Sequence, residues 1–296
     1  MKLLISGSSG MIGQRLLELA DVAEHECILL VRRQSKAENE RSWDPESGTL
    51  DPAVFDGIDA VVHLAGDNIG SGRWTAAKKR RIRDSRVMGT KLLAERMALA
   101  KGQPALVCAS AIGFYGDRGD EKLTEESPAG TGFLADVCQE WEAAADVARD
   151  AGLRVVHNRL GIVLSSQGGA LASMLTPFRM GVGGNMGSGR QYWSWIELDD
   201  AANAFLYAAE NATLTGSVNV VAPQPATNAE FTKVLGSVLH RPTIFPMPAF
   251  MARLVLGEMA EALILSSARV LPGILQERHF EYRNATLEEA LRAALE

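Results

Sequence analysis

Residues 1–13 constrain what this chain can fold into more than any other stretch. Lys2 to Ser6 is a short apolar run of the kind that forms a buried strand. It leads into glycines at Gly7, Gly10 and Gly13, and then into Ile12, Leu16, Leu17 and Ala20 at helical spacing. Strand, glycine turn and helix together predict the opening of a dinucleotide-binding βαβ unit. Gly7 allows the tight turn, Gly10 lets backbone approach a pyrophosphate, and Gly13 lets helix pack on strand. Ser9, Met11 and Ile12 lie in the same turn and join the glycines as expected cofactor contacts. The helix start offers unpaired N–H groups and partial positive charge to phosphate oxygens. The blander alternative is a loop with ordinary capping glycines. Its place in the first strand–helix unit favours the dinucleotide.

The 296 residues suit one large α/β domain with an appended lobe. A net charge of −6 argues against a nucleic-acid or anionic-membrane surface. No apolar run approaches the roughly 20 residues needed to span a bilayer, and the N-terminus lacks a signal-peptide layout. Cys27, Cys108 and Cys138 show no metal-ligand spacing and read as reduced thiols of a cytoplasmic protein.

The next strand, Glu26 to Val31, ends in Arg32 and Arg33. An acidic residue near this strand end would bond a ribose 2′-hydroxyl, whereas arginine suits a 2′-phosphate. With no acid there, the sequence predicts NADP(H) over NAD(H). The alternative is a pair of solvated loop charges. Lys78 to Ala100 has helical periodicity, with Ile82, Val87, Leu92, Leu93 and Met97 as its buried stripe. The basic run from Lys78 to Arg83 reads as a solvated face. Thr286 before Leu287, Glu288 and Glu289 has the signature of a capping box.

The G-x-x-G-x-x-G spacing resembles the extended short-chain dehydrogenase/reductases, and further segments strengthen the likeness. Asp59 to Gly66 is similar to their D-x-V-x-H-L-A-[AG] strand, which implies that Leu64, Ala65 and Gly66 pass under the adenosine ribose and pyrophosphate. His63 sits inside that strand and reads as structural. Arg86 to Thr90 resembles N-x-x-G-T with Arg86 in place of asparagine, where an arginine could contact a cofactor phosphate. Ser110 to Asp117 resembles S-[SA]-x-x-V-Y-G-D, one residue longer. The resemblance implies that Ser110 bonds the reacting oxygen of a substrate and that Tyr115 borders the substrate.

At the chemistry itself the pattern breaks. Active members carry Y-x-x-x-K on the following helix, the tyrosine acting as general acid/base. Here no tyrosine or lysine lies between Thr124 and Arg154. One alignment puts Leu134 at tyrosine and Cys138 at lysine; sliding by one residue gives Phe133 and Val137. Gly181 to Asp200 resembles the segment that brings chain from the substrate lobe back to the sheet, with Glu197 where histidine is usual. Asp200 then suits the start of a helix from Ala201 to Asn211, as cap or as catalytic group.

The combined motifs identify the chain as resembling an atypical extended branch, the NADP-dependent nucleotide-sugar epimerases or "epimerase family protein", with a C-terminal domain of unknown function. Members commonly lack Y-x-x-x-K. The expected fold is a doubly wound, mostly parallel Rossmann sheet with a smaller C-terminal substrate lobe. Residues 1–221 form the NADP-binding domain, 166–190 contribute to the lobe, and 222–296 complete it. Two functions follow as expectations. One is an NADP(H)-dependent oxidoreductase, epimerase or dehydratase acting on a small or sugar-nucleotide substrate. In it Ser110 would orient the substrate and Tyr115 or Cys138 would be the acid/base. The other is a non-catalytic NADP(H)-binding redox sensor or interaction protein.

Overall fold

The structure is a computed structural model describing residues 1–296. Its centre is a seven-stranded sheet of β1 (Lys2–Ser6), β2 (Glu26–Val31), β3 (Glu40–Ser42), β4 (Ala60–His63), β5 (Ala105–Ala111), β6 (Val155–Leu160) and β7 (Gly216–Val220). The spatial order is β3-β2-β1-β4-β5-β6-β7, and every pairing is parallel. The order reverses beside β1, so the crevice outside the carboxyl ends of β1 and β4 is the natural ligand position. Strands such as β1 and β4 read as continuous apolar runs because both sheet faces are covered. One core packs Leu3, Ile5, Val62 and Val107 under the helices Met11–Val22 (α1) and Leu198–Glu210. The opposite core packs Leu4, Val61 and Leu106 under Ala76–Met97 (α2).

The second helix starts two residues before its periodicity suggests, because Thr75 accepts a hydrogen bond from Lys78 N at 3.2 Å and caps it. Lys78 itself is buried, contrary to its reading as part of a solvated face; only the cations beyond it, Lys79, Arg80, Arg81 and Arg83, are partly or largely exposed. Val87 is only half-buried, and Gly89, Thr90 and Ala94 line the packed side in its place. The segment from Leu153 to Leu164 is broken at Gly161, where a Cβ would fall 2.6 Å from Ser194 O. Beyond it, Ile162–Leu164 leaves the main sheet and pairs in parallel with Trp195–Glu197.

A third core, with Leu171, Phe178, Trp193, Phe231, Leu235 and Leu291, belongs to a smaller lobe. The lobe is tied to the sheet by Arg269–Val270, which pairs with Lys122–Leu123 after β5. Asp200 does not cap the helix that contains it. The helix begins at Leu198, and Glu197 is its N-cap, accepting from Asp199 N at 2.7 Å. Asp200 is fully buried and accepts from Arg283 N and Asn284 N, at 2.8 and 3.1 Å, fastening the C-terminal segment. Two capping boxes start the helices Asn228–Leu239 and Leu287–Leu295, the second at the expected Thr286 and Glu289. No helix is long and apolar enough to cross a membrane.

Candidate cofactor site and crevice

The turn between β1 and α1 is shaped by three positions without side chains. Gly7 has φ +76°, and a Cβ there would lie 2.7 Å from Leu64 C and 2.8 Å from Ala65 N. Any side chain would therefore separate β1 from the end of β4. Gly13 is buried against the turn, where a Cβ would overlap Gly7 O and approach Ser8 Cα to 2.8 Å. Gly10 is different: it is exposed, its N–H donates to Gly7 O at 3.0 Å, and a Cβ would meet only that oxygen at 3.3 Å. Gly7 and Gly13 thus hold the turn together, while Gly10 keeps its outer side clear. Ser9 is exposed, and Met11 and Ile12 are half-buried over the first turn of α1, whose leading N–H groups face the crevice without helical partners. No acidic residue stands in that turn to compete with an anion.

The end of β4 forms the neighbouring wall. Leu64 and Ala65 are half-buried and Gly66 is exposed. Arg86 lies across Gly66, with its guanidinium carbon 3.3 Å from where a Gly66 Cβ would be. Its Nη1 donates to Asp67 O at 3.1 Å and Ile82 O at 2.9 Å, and its guanidinium stands 5.1 Å from the Trp141 ring. Arg86 therefore bonds backbone and retains N–H groups without a protein partner. Burial pushes its pKa down. His63 is fully buried, shares a 2.6 Å hydrogen bond with Ser6 Oγ and meets Trp43 edge-on at 5.9 Å. Burial and the Arg86 charge hold its pKa down to about 4, so it is a neutral structural histidine.

The two arginines after β2 separate in role. Arg33 donates twice to Glu40, at 2.8 and 2.5 Å, and so is held against the edge strand. Arg32 is exposed and makes no ion pair or hydrogen bond within the chain. Glu40, on β3, is the acid absent from the end of β2, and Arg33 neutralises it; the pair holds the Glu40 pKa down to about 2. Of the two, Arg32 has the guanidinium available to a phosphate.

The chemistry candidates do not meet in an open site. Ser110 is 1% exposed, and its Oγ donates to Glu142 Oε1 at 2.6 Å. Tyr115 is fully buried; its hydroxyl donates to Asn219 Oδ1 at 2.7 Å and accepts from Arg159 Nη1 at 3.0 Å. Burial pushes the Tyr115 phenol up. Cys138 is 3% exposed, its Sγ is 3.6 Å from Ala111 O, and burial followed by the Glu142 charge pushes its thiol up to about 12. These positions argue against Tyr115 and Cys138 as groups that exchange protons with a substrate. They also place Ser110 within a polar cluster rather than on a crevice wall.

That cluster is what motif matching missed. Glu142 and Arg159 form a two-point ion pair, Nε to Oε1 and Nη2 to Oε2, both at 2.8 Å. It joins the helix Phe133–Ala143 to β6, while Ser217 on β7 donates to Glu142 Oε2 at 3.3 Å. Desolvation opposes charge on Glu142, yet Arg159 and Ser110 hold its pKa below the usual carboxylate value. Glu142 carries one sequence signal, an acid four residues after Cys138 on the helix where Y-x-x-x-K is lost. Lys78 was missed as well: its ammonium donates to Asp67 Oδ2 and Asn68 O at 2.6 Å and to Ser71 Oγ at 2.9 Å. It holds the loop beyond Gly66.

Leu134, at the tyrosine position of one alignment, packs with Trp74, Ile82, Met259, Leu256 and Leu263. The lobe thus closes this end of the crevice with an apolar seal. Lys79 to Glu258 at 2.7 Å, and Arg73 to Leu254 O at 2.7 Å, hold the closure.

Comparison with known proteins accords with this geometry. The NAD dependent epimerase/dehydratase family matches residues 3–221, and DUF1731, a domain of unknown function, matches residues 247–294. An epimerase family protein of Mycobacterium tuberculosis is 42% identical over 287 residues, covering 97% of this chain and 95% of that protein. Human epimerase family protein SDR39U1 is 34% identical over 296 residues, covering 99% of each. The crystal structure of human SDR39U1 (isoform 2) with NADPH matches with TM-score 0.90 at 33% identity, over 99% of both chains. UDP-N-acetylglucosamine 4-epimerase of Bacillus cereus matches with TM-score 0.77 at 17% identity, over 99% and 98% of the chains, which speaks to fold alone. With the glycine turn, the seven parallel strands and the appended lobe in place, the chain belongs to the NAD dependent epimerase/dehydratase family, in its "epimerase family protein" branch with a DUF1731 domain.

Proposed function

We propose that this chain binds NADP(H) in the crevice at the ends of β1, β2 and β4 and acts as an oxidoreductase or epimerase on a small or sugar-nucleotide substrate. The observation that carries the cofactor assignment is the unpaired Arg32 at the end of β2, beside an Arg33 already committed to Glu40. The residues fit the group: Gly10 leaves room for a pyrophosphate, and the first N–H groups of α1 would bond it. Arg32 would hold the 2′-phosphate, Leu64 to Gly66 would support the adenosine ribose, and the free N–H groups of Arg86 would face a phosphate or ribose oxygen. When bound, a nicotinamide supplies a hydride donor or acceptor. The support for a substrate is the complete second lobe, with its own core, packed over the crevice.

The protein's part in that chemistry is positioning and exclusion of water. Leu134 and its apolar neighbours dry the far end of the crevice, and no group with a pKa near neutrality borders it where tyrosine is usual. The burial of Tyr115 and Cys138 favours a second reading, a non-catalytic NADP(H) sensor. Calorimetric titration with NADPH and NADH tests the cofactor assignment; equal affinities would end it. NADPH turnover across carbonyl and sugar-nucleotide panels then divides the readings. Tight binding with no turnover on any substrate supports the sensor.

A further inference from the structure

The large apolar side chains left exposed are not scattered. Nine of fourteen fall in two stretches, 180–182 and 244–255. The stretches are neighbours: Phe245 N donates to Gly183 O at 3.3 Å and Met247 N to Asn185 O at 2.8 Å. Ile244, Phe245, Phe250 and Leu254 are 55% to 74% exposed. On the helix Ala249–Leu256, Phe250 and Leu254 share one side with Met251 and Val255, while Ala252 is buried on the other. The apolar face of this short helix therefore points outward, the reverse of a core-packing helix. A contiguous exposed patch of this kind marks an interaction surface.

Charge identifies what it meets. The chain carries net charge −6, yet no Asp or Glu occurs from Ala151 to Ile196 or from Phe231 to Gly257. Arg179 and Arg241 border the patch; Arg241 Nε donates to Arg179 O at 2.9 Å, and neither guanidinium has a carboxylate partner. Arg253 is paired with Glu261, beyond the helix. Protruding Phe, Leu and Ile rimmed by unpaired arginine match a bilayer interface with anionic headgroups. The net negative charge that argues against such a surface is screened beyond about 10 Å, whereas the patch acts at contact.

We infer that the outer face of the C-terminal lobe, residues 180–182 and 241–255, docks on an anionic lipid surface. Vesicle sedimentation of the full chain tests this, comparing phosphatidylcholine alone with phosphatidylcholine containing phosphatidylglycerol at low ionic strength. The expected result is co-sedimentation with the anionic vesicles alone, and release as salt rises. Phe250→Ser with Leu254→Ser should abolish binding, and Arg179→Gln should weaken it about fivefold. Circular dichroism and NADPH affinity report folding, since none of these side chains is placed in the cofactor site. Failure to sediment with anionic vesicles, or binding that the Phe250/Leu254 variant leaves intact, would overturn the inference. A concentration-dependent dimer that the same variant dissociates in sedimentation velocity would also overturn it, giving the face to a second copy.

Discussion

Replacing Arg32 by alanine should weaken NADPH without touching NADH. Arg32 is exposed and unpartnered, so its removal costs the free protein no internal bond. A hydrogen bond to a charged group contributes roughly 1.5–3 kcal/mol. Solvent screening at an exposed site puts the effect near the lower end, about a tenfold loss of affinity. Arg32→Asp should go further, because it sets a carboxylate against the 2′-phosphate while offering an acceptor to the 2′-hydroxyl of NADH. Isothermal titration with both cofactors reads the two affinities directly. Arg33→Ala is the companion variant: it strands the Glu40 carboxylate, 8% exposed, and should lower the thermal midpoint more than it lowers NADPH affinity. Equal losses for NADPH and NADH in Arg32→Ala, or no loss for either, would refute the assignment of Arg32 to the 2′-phosphate.

Other consequences are as direct. Gly10→Val should abolish NADPH binding by calorimetry with an unchanged circular dichroism spectrum, whereas Gly13→Ala should also lower the melting temperature, since its Cβ would overlap Gly7 O. Tyr115→Phe should destabilise by about 1–3 kcal/mol in urea titration, because it strips a partner from Asn219 Oδ1 and Arg159 Nη1. Rate loss at unchanged stability would instead restore Tyr115 to the chemistry. Burial holds the pKa values of His63 and His157 down to about 4, below the ordinary histidine value of 6.5. Their contribution is therefore present above pH 6.5 and lost as pH falls towards 4, by up to about 3 kcal/mol each. Urea midpoints across that range should decline, and His63→Gln should flatten the decline.

Features that depend on neighbours in sequence were legible. The β1–α1 turn, the apolar β4 strand and the Thr286–Glu289 capping box each follow from a few consecutive residues. The Thr227–Glu230 box, which starts the helix Asn228–Leu239, has the same signature. Arg32 and Arg33 look alike in sequence; only the fold of Glu40 onto the edge strand separates a bound arginine from a free one. Ser110 and Tyr115 match a motif that implies substrate contact, yet their hydroxyls turn to Glu142, Arg159 and Asn219.

By itself the sequence determined the strand and helix periods, the glycine turn and the absence of a tyrosine–lysine pair, because backbone geometry and side-chain alternation are local. Tertiary structure alone decided which charges are neutralised and which groups see solvent. Lys78 lies among the solvated cations of its run until Asp67, Asn68 and Ser71 fold over its ammonium. Asp200 serves a segment more than eighty residues away. Phe250 and Leu254 have the spacing of a core-facing helix and are nonetheless turned outward. A charge or an apolar face has the same covalent form whether paired or bare, so its role depends on distant chain segments whose meeting no local pattern encodes.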